Sequence, residues 1–244
     1  MKLALFGGTF DPVHLGHLAM ARAASNKFGL DKVLFVPADL PPHKRHRPLT
    51  EFYHRYAMLA LATAKEQRFV PSLLEAGAGQ PNYSIQTVRR LKATLEKSDK
   101  LYFLIGVDAF IEISTWRQPV ELLAECEFIV ASRPGFSMAD IGAALPEKLR
   151  PSNSVLKAMQ RQQASESIVL PSATIHLLND VSEPVSSTQI RAAVHKSVKQ
   201  LSRYVPATVA VYIEKEHLYI EGQRQKSGAT AGKVLSFRRA HRQE

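Results

Sequence analysis

The sequence predicts an α/β fold in which a parallel sheet carries helices on both faces. Short apolar runs recur along the chain and are separated by amphipathic segments, as in βαβ units. The clearest of these runs is apolar throughout rather than alternating, as expected for a strand that is buried on both faces. The chain has 244 residues, of which 45% are hydrophobic and 22% charged. That length and composition suit a globular protein that buries a full α/β core.

The chain opens on a predicted strand–loop–helix unit. Residues 3–6 form an apolar run, Gly7-Gly8 permits a sharp turn or a close approach of a ligand, and an amphipathic helix is expected over residues 15–28. We expect Asp11-Pro12 to start this helix, because Asp caps free N–H groups and Pro is tolerated in the first turn. Such a unit directs N–H groups and the positive helix end at one point, which suits a phosphate.

Two histidines lie at the start of that helix. His14 and His17 are three residues apart, so both can face the same anion. Two other interpretations are a metal site, which would need a third ligand nearby, and a solvated helix start. The glycines do not form G-x-G-x-x-G, so a dinucleotide-dependent dehydrogenase loses its main support.

The remaining elements continue the same alternation. Parallel pairing through right-handed crossovers is the default for such units. Further strands are predicted over residues 31–37, 69–74, 101–105 and 127–131, with one or two more over 168–170 and 174–178. Further helices are predicted from Thr50 as N-cap, after residues 82–87, from about Val185, and over 207–218.

Polar and aromatic residues follow several of these strands, at the edge where open α/β sheets bind ligands. Lys44 lies in a basic loop after the second strand, as either a triphosphate clamp or part of a stiff solvated loop. Gly106 and Asp108 follow the central strand, and Arg133 follows the fifth. Trp116 is either a core residue or a stacking surface for a planar ring.

Two helix starts are further candidates for anion binding. The N–H groups near Ser84 and Ile85 can accept a carboxylate or a phosphate, or they are simply capped. Ser187 and Thr188 can cap their own helix, or they form a second phosphate cradle with Arg191 as its cation.

Cysteine content and hydropathy indicate the compartment that the sequence suits. Cys126 is the only cysteine, which excludes an intrachain disulfide and fits a reducing cytoplasm; we expect it to be a buried packing thiol. No apolar run is long enough to cross a membrane, and no signal peptide is expected.

The charge distribution suggests a domain and a tail. The formal net charge is +10, and about half of it comes from residues 222–244. We expect one domain over residues 1–220, with a polar and partly helical surface insertion near 146–167. Residues 221–244 are expected to be a disordered basic tail rather than a specific reader of nucleic acid.

Several motifs in order resemble one enzyme family. GGTFDPVHLGH resembles the G-[ST]-F-D-P-x-H-x-G-H signature of the nucleotidyltransferase superfamily. The chain also contains PADLPPHK, NYSIQT, LIGVDAF with a downstream tryptophan, ASRPG and VSSTQIR, and the motifs span residues 6–191. Together they are similar to bacterial nicotinate-nucleotide adenylyltransferases.

The resemblance implies a single Rossmann-like nucleotidyltransferase domain that transfers AMP from ATP to nicotinic acid mononucleotide, with Mg²⁺ accompanying ATP. By position, it implies catalytic roles for His14, His17, Lys44 and Arg191. It places Gly7, Gly8, Thr9, Phe10, Gly106, Asp108, Ser187 and Thr188 around ATP. It places Ser84, Ile85, Trp116 and Arg133 around the mononucleotide.

Two departures and three alternatives stay open at this point. Gln86 stands where the family commonly has Asp, and Ser84 replaces Thr, which leaves the details of pyridine recognition open. The alternatives are an adenylyltransferase for nicotinamide mononucleotide, one for phosphopantetheine, and a non-catalytic nucleic-acid-binding protein. The sequence leaves the oligomeric state open and is compatible with a homo-oligomer.

Overall fold

The computed structural model of the chain describes residues 1–41, 49–77, 79–132, 136–161, 166–179, 181, 185–194 and 198–220. Within these ranges seven strands form one sheet in the order β3-β2-β1-β4-β5-β7-β6. Their bounds are β1 Lys2–Gly8, β2 Lys32–Pro37, β3 Phe69–Pro71, β4 Lys100–Gly106, β5 Glu127–Ala131, β6 Ser167–Leu170 and β7 Ala173–Leu178. All neighbours pair in parallel except β6 with β7. The predicted parallel α/β sheet is confirmed.

Helices connect the strands, and their bounds follow the apolar periodicity closely. The helices are α1 Leu15–Phe28, α2 Phe52–Thr63, α3 Ser84–Lys92, α4 Val107–Phe110, α5 Pro119–Glu125, α6 Met138–Ala144, α7 Asn153–Arg161, α8 Ser187–Val194 and α9 Ala207–Lys215. The polar stretch over residues 146–167 is partly helical, as predicted, because it contains α7. No helix in the described part of the chain is long and apolar enough to span a membrane.

The sheet separates two apolar cores. Side chains alternate along each strand, so Leu104 enters one core and its neighbour Phe103 enters the other. The first core contains residues of α1, α2, α8 and α9, and the second contains residues of α3, α4, α5 and α6. Both faces of the sheet are therefore covered, which explains why its central strands are apolar throughout.

Several predicted boundaries were wrong, including the end of α9, which lies at Lys215 rather than at residue 218. Asp11 does not cap α1; it precedes a cis peptide to Pro12, and the N-cap is His14. The reason is tertiary, since the Asp11 carboxylate accepts a hydrogen bond from Tyr219 instead. Thr50 does not cap α2, which has Glu51 at its N-cap, and β3 ends at Pro71 rather than at residue 74.

The order of the strands fixes where a ligand site belongs. After β1 the chain moves outward to β2 and β3, then returns to place β4 on the other side of β1. The loops after β1 and β4 therefore diverge at the carboxyl edge and leave a crevice, the usual ligand position in an open α/β sheet.

Candidate active site

A cavity of about 610 Å³ opens at this point between β1 and β4. Its size suits a small-molecule ligand. It lies at the carboxyl ends of β1, β4 and β5 and at the starts of α1 and α8. Ten residues expected from the sequence line it: Gly7, Gly8, Thr9, His14, His17, Gly106, Asp108, Ser187, Thr188 and Arg191.

The two histidines cap each other at the start of α1. The backbone N–H of His17 donates to Nδ1 of His14 at 3.3 Å, and the backbone N–H of His14 donates to Nδ1 of His17 at 3.2 Å. This is a capping box made from imidazoles, and the rings stack with centroids 3.6 Å apart. Because each Nδ1 accepts a hydrogen bond, the proton of each neutral ring lies on Nε2. Both histidines line the cavity.

Phe10 packs against the ring of His17 and does not line the cavity. Its ring is 1% exposed and lies 4.9 Å from the His17 ring, edge to face. The backbone of Phe10 is left-handed at φ 46°. The ring then folds back over Gly8, where an added Cβ would lie 3.2 Å from it. Gly8 thus leaves room for the residue that orients His17.

The start of α8 is tied to the loop between β1 and α1. The Ser187 hydroxyl donates to the carbonyl of Pro12 at 3.0 Å, and Arg191 Nη1 donates to the carbonyl of Asp11 at 2.6 Å. Arg191 Nη2 also donates to the Thr188 hydroxyl at 3.2 Å. The structure therefore brings the predicted second phosphate cradle next to the first loop. Toward the described residues, Arg191 uses two of its five guanidinium N–H groups in these hydrogen bonds.

A buried arginine that the sequence analysis missed joins two loops of the site. Arg55 is 1% exposed, and its Nη1 donates to the carbonyls of Thr9 at 2.9 Å and Ala38 at 2.7 Å. Its Nε donates to the carbonyl of Thr50 at 2.8 Å. Burial lowers the pKa of Arg55, although the nearby Asp11 charge opposes that shift. The sequence contained one sign of this role, because Arg55 is spaced to share the buried face of α2 with Met58 and Leu59.

A hydrogen bond between the buried Asp11 and the half-buried Tyr219 also holds this loop. Asp11 is 2% exposed, and its Oδ1 accepts a hydrogen bond from the Tyr219 hydroxyl at 2.7 Å. Its Oδ2 faces the backbone N–H of Thr50 at 3.5 Å. Burial, followed by the Asp11 charge, raises the pKa of Tyr219 well above 10, so the phenol stays protonated and donates.

The residues expected to bind the pyridine ring lie outside this cavity. Ser84 is the first residue of α3, and the Ile85 side chain is buried in the second core. Trp116 is half-buried against Phe103, with ring centroids 6.3 Å apart. The adjacent Arg117 stacks on Tyr83, the N-cap of α3, at 4.9 Å, which brings the Trp116 segment to the start of α3.

A polar network braces the loop before α3. The Thr87 hydroxyl donates to Oε1 of the buried Glu75 at 2.6 Å, and Asn82 Nδ2 donates to the Glu75 carbonyl at 3.3 Å. Burial raises the pKa of Glu75, and the Thr87 hydrogen bond opposes this. Gln86 accepts a hydrogen bond from the backbone N–H of Tyr83 at 3.4 Å. The residue that departs from the family pattern therefore helps to cap α3.

Two predicted site residues, Lys44 and Arg133, lie outside the described residues. Cys126 lies at the end of α5 and outside the cavity. The residue is half-buried rather than fully buried as predicted, and desolvation of its thiol raises the pKa to about 12.

Comparison with known proteins gives a consistent result. The cytidylyltransferase-like family model matches residues 5–193. A probable nicotinate-nucleotide adenylyltransferase of Solibacter usitatus is 37% identical over 219 residues, which are 90% of this chain and 100% of that protein. One of Desulfotalea psychrophila is 39% identical over 220 residues, 89% of this chain and 99% of that protein.

A solved structure shares the fold. Nicotinic acid mononucleotide adenylyltransferase of Plasmodium falciparum, complexed with NaAD, superposes with a TM-score of 0.66. The match covers 89% of this chain and 97% of that one, at 20% sequence identity.

Proposed function

The chain belongs to the cytidylyltransferase-like family and, within it, to the nicotinate-nucleotide adenylyltransferases, and we propose that the cavity between β1 and β4 is where it transfers AMP from ATP to nicotinic acid mononucleotide. The products are deamido-NAD and pyrophosphate, which places the chain in NAD biosynthesis. The observation that carries the proposal is the stacked histidine pair, which lines a cavity at the point where the strand order reverses.

The reaction makes one phosphorus–oxygen bond and breaks another. A phosphate oxygen of the mononucleotide attacks the α-phosphorus of ATP in line, and the bond to the bridging oxygen of the β-phosphate breaks, which releases pyrophosphate. The attacking phosphate is already anionic, so it needs no strong base. Positioning of the two anions and stabilisation of the charge that develops account for most of the catalysis.

The cavity wall offers donors for that charge. His14 and His17 supply Nε2–H groups at the start of α1, where the helix dipole is also favourable to anions. Ser187, Thr188 and Arg191 form the opposite cradle. The remaining predicted contacts to ATP come from the backbone of Gly7, Gly8 and Thr9, from Gly106 and Asp108, and from Lys44 in the loop after β2.

The mononucleotide is proposed to lie toward α3. The backbone N–H groups of Ser84 and Ile85 would accept its carboxylate, since the first N–H groups of a helix have no partner within the helix. Trp116 would stack on the pyridine ring, and its position beside the start of α3 supports this. Arg133 is the proposed cation for the mononucleotide phosphate.

Mg²⁺ is proposed to arrive on the ATP oxygens, where it would neutralise part of the triphosphate charge. Among the described residues, no group of three His, Cys, Asp or Glu side chains is placed to hold a metal ion. A cation held mainly by phosphate oxygens and water is compatible with that arrangement.

Pyrophosphate release with separate mononucleotides tests the function. We expect the highest kcat/KM with nicotinic acid mononucleotide and ATP, and much lower values with nicotinamide mononucleotide or phosphopantetheine. Equal values for the acid and the amide would refute the acid preference. Release with none of the three would refute the adenylyl transfer itself.

The cellular setting stays a prediction. A cytoplasmic location is supported by the single cysteine, Cys126, since a chain with one cysteine and no intrachain disulfide suits a reducing compartment. We also predict no specific nucleic-acid partner and no membrane contact, and the chain is compatible with a homo-oligomer.

A further inference from the structure

We propose that Tyr219 is a positioning residue for catalysis, which holds the loop between β1 and α1 in place by latching the C-terminal turn to Asp11. This inference rests on the proposed function, because the loop in question carries Thr9 and His14. Tyr219 does not line the cavity, so it acts through another residue rather than on the substrates.

The latch is a part-buried hydrogen bond between distant parts of the chain. The Tyr219 hydroxyl donates to Oδ1 of Asp11 at 2.7 Å across 208 residues of sequence. Asp11 is also bound through its backbone, since its carbonyl accepts the hydrogen bond from Arg191. One residue of the loop therefore connects the turn after α9 to the proposed second phosphate cradle.

The backbone around Tyr219 is held in an unfavourable conformation. His217 and Tyr219 have left-handed φ values of 50° and 66°. Non-glycine residues keep such conformations only where surrounding contacts determine them. Here Leu218 donates its N–H to the carbonyl of Ile213 at 3.0 Å, and Tyr219 packs against the first core. The turn is thus built to carry the phenol to Asp11.

Charge explains why the hydroxyl matters. Asp11 is a carboxylate on the wall of a cavity proposed to bind two anionic nucleotides. A hydrogen-bond donor at 2.7 Å from Oδ1 stabilises that carboxylate and restrains the rotation of the Asp11 side chain.

Position explains why catalysis should respond. Asp11 lies between Thr9 and His14 in a loop without regular structure. Side chains that hydrogen-bond to this loop include those of His17, Arg55, Ser187, Arg191 and Tyr219. In-line transfer is sensitive to small displacements, since a misplacement of about 1 Å can cost about 10²-fold in rate. Removal of one such constraint should therefore lower kcat more than it changes substrate binding.

The test compares Tyr219→Phe with a matched control, Tyr212→Phe. Tyr212 also uses its hydroxyl in one hydrogen bond, to His54 Nδ1 at 2.9 Å, but that bond joins α9 to α2 away from the loop. We expect Tyr219→Phe to lower kcat about tenfold with both KM values within about threefold. Tyr212→Phe should keep kcat within about twofold, whatever its change in Tm. A Tyr219→Phe enzyme with kcat within about twofold of the parent would overturn the proposal.

A spectroscopic readout separates this proposal from the proposed function. In ¹⁵N-histidine-labelled protein, the ring signals of His14 and His17 should shift in Tyr219→Phe and stay in place in Tyr212→Phe. Unchanged signals in both variants would overturn the latch, whether or not the parent releases pyrophosphate. In the double variant with Asp11→Ala, Tyr219→Phe should add no further loss of kcat; additive losses would contradict action through Asp11.

Discussion

Replacing His14 by Asn should separate the two roles of the imidazole, which are to start α1 and to donate to phosphate. Asn is among the best N-cap residues, and its side-chain oxygen replaces Nδ1 as acceptor for the His17 N–H, now at 3.3 Å. It has no atom in the place of Nε2. His14→Asn therefore keeps the cap and removes the donor, whereas His14→Ala removes both.

Loss of the cap should lower the stability of the protein, whereas loss of the donor should lower kcat. Loss of the cap in His14→Ala should lower the free energy of unfolding by about 0.5–2 kcal/mol, and His14→Asn should lose less. Loss of a donor that stabilises developing charge typically lowers kcat by about 10²–10³-fold, or about 2.7–4 kcal/mol. We expect that loss in His14→Asn, in His14→Ala and in His17→Ala.

The assay is pyrophosphate release at saturating ATP and mononucleotide, with urea unfolding of the same preparations. The reasoning predicts that kcat falls in His14→Asn although its stability stays near that of the parent. If His14→Asn kept kcat within about threefold while His14→Ala lost both, the ring would be a helix cap only.

Three further predictions concern buried groups. Arg55→Met leaves three carbonyl acceptors without their donor. At about 1–3 kcal/mol for each buried group, the free energy of unfolding should fall by about 3 kcal/mol or more. A fall of less than about 1 kcal/mol in urea unfolding would contradict this. Glu75 has a raised folded-state pKa, so the folded state binds its proton more tightly and stability falls as pH rises from the usual value of 4.5 through the folded pKa. Glu75→Gln should therefore raise Tm at pH 7 and lose that advantage below pH 4.5, and an equal Tm difference at both pH values would speak against burial as the cause. Because the pKa of the Cys126 thiol is about 12, native protein should resist iodoacetamide at neutral pH while urea-unfolded protein reacts; rapid labelling of native protein would exclude this environment.

Local pattern was enough to predict the sheet and most helices. The bounds of α1 and β5 agree with their apolar runs, because burial on a helix face or in a central strand depends on residues adjacent in sequence. The position of the cavity also followed, since Gly8 and Gly106 end neighbouring parallel strands.

The contacts that hold the site together were not predictable in the same way. Asp is a residue type that favours a helix N-cap, but the Asp11 carboxylate accepts a hydrogen bond from Tyr219, which is 208 residues away in sequence. The resemblance predicts that Phe10 lies along the nucleotide, and its ring packs in the first core against His17. Both contacts depend on which distant segments pack together in the fold, and local sequence patterns do not predict such packing.

The central claim is that the start of α1 presents two imidazoles to a triphosphate. A crystal structure with a non-hydrolysable ATP analogue and Mg²⁺ measures it directly. We predict that the Nε2 atoms of His14 and His17 both lie within about 3.2 Å of phosphate oxygens. A triphosphate bound with both Nε2 atoms more than about 5 Å from every phosphate oxygen would contradict the account.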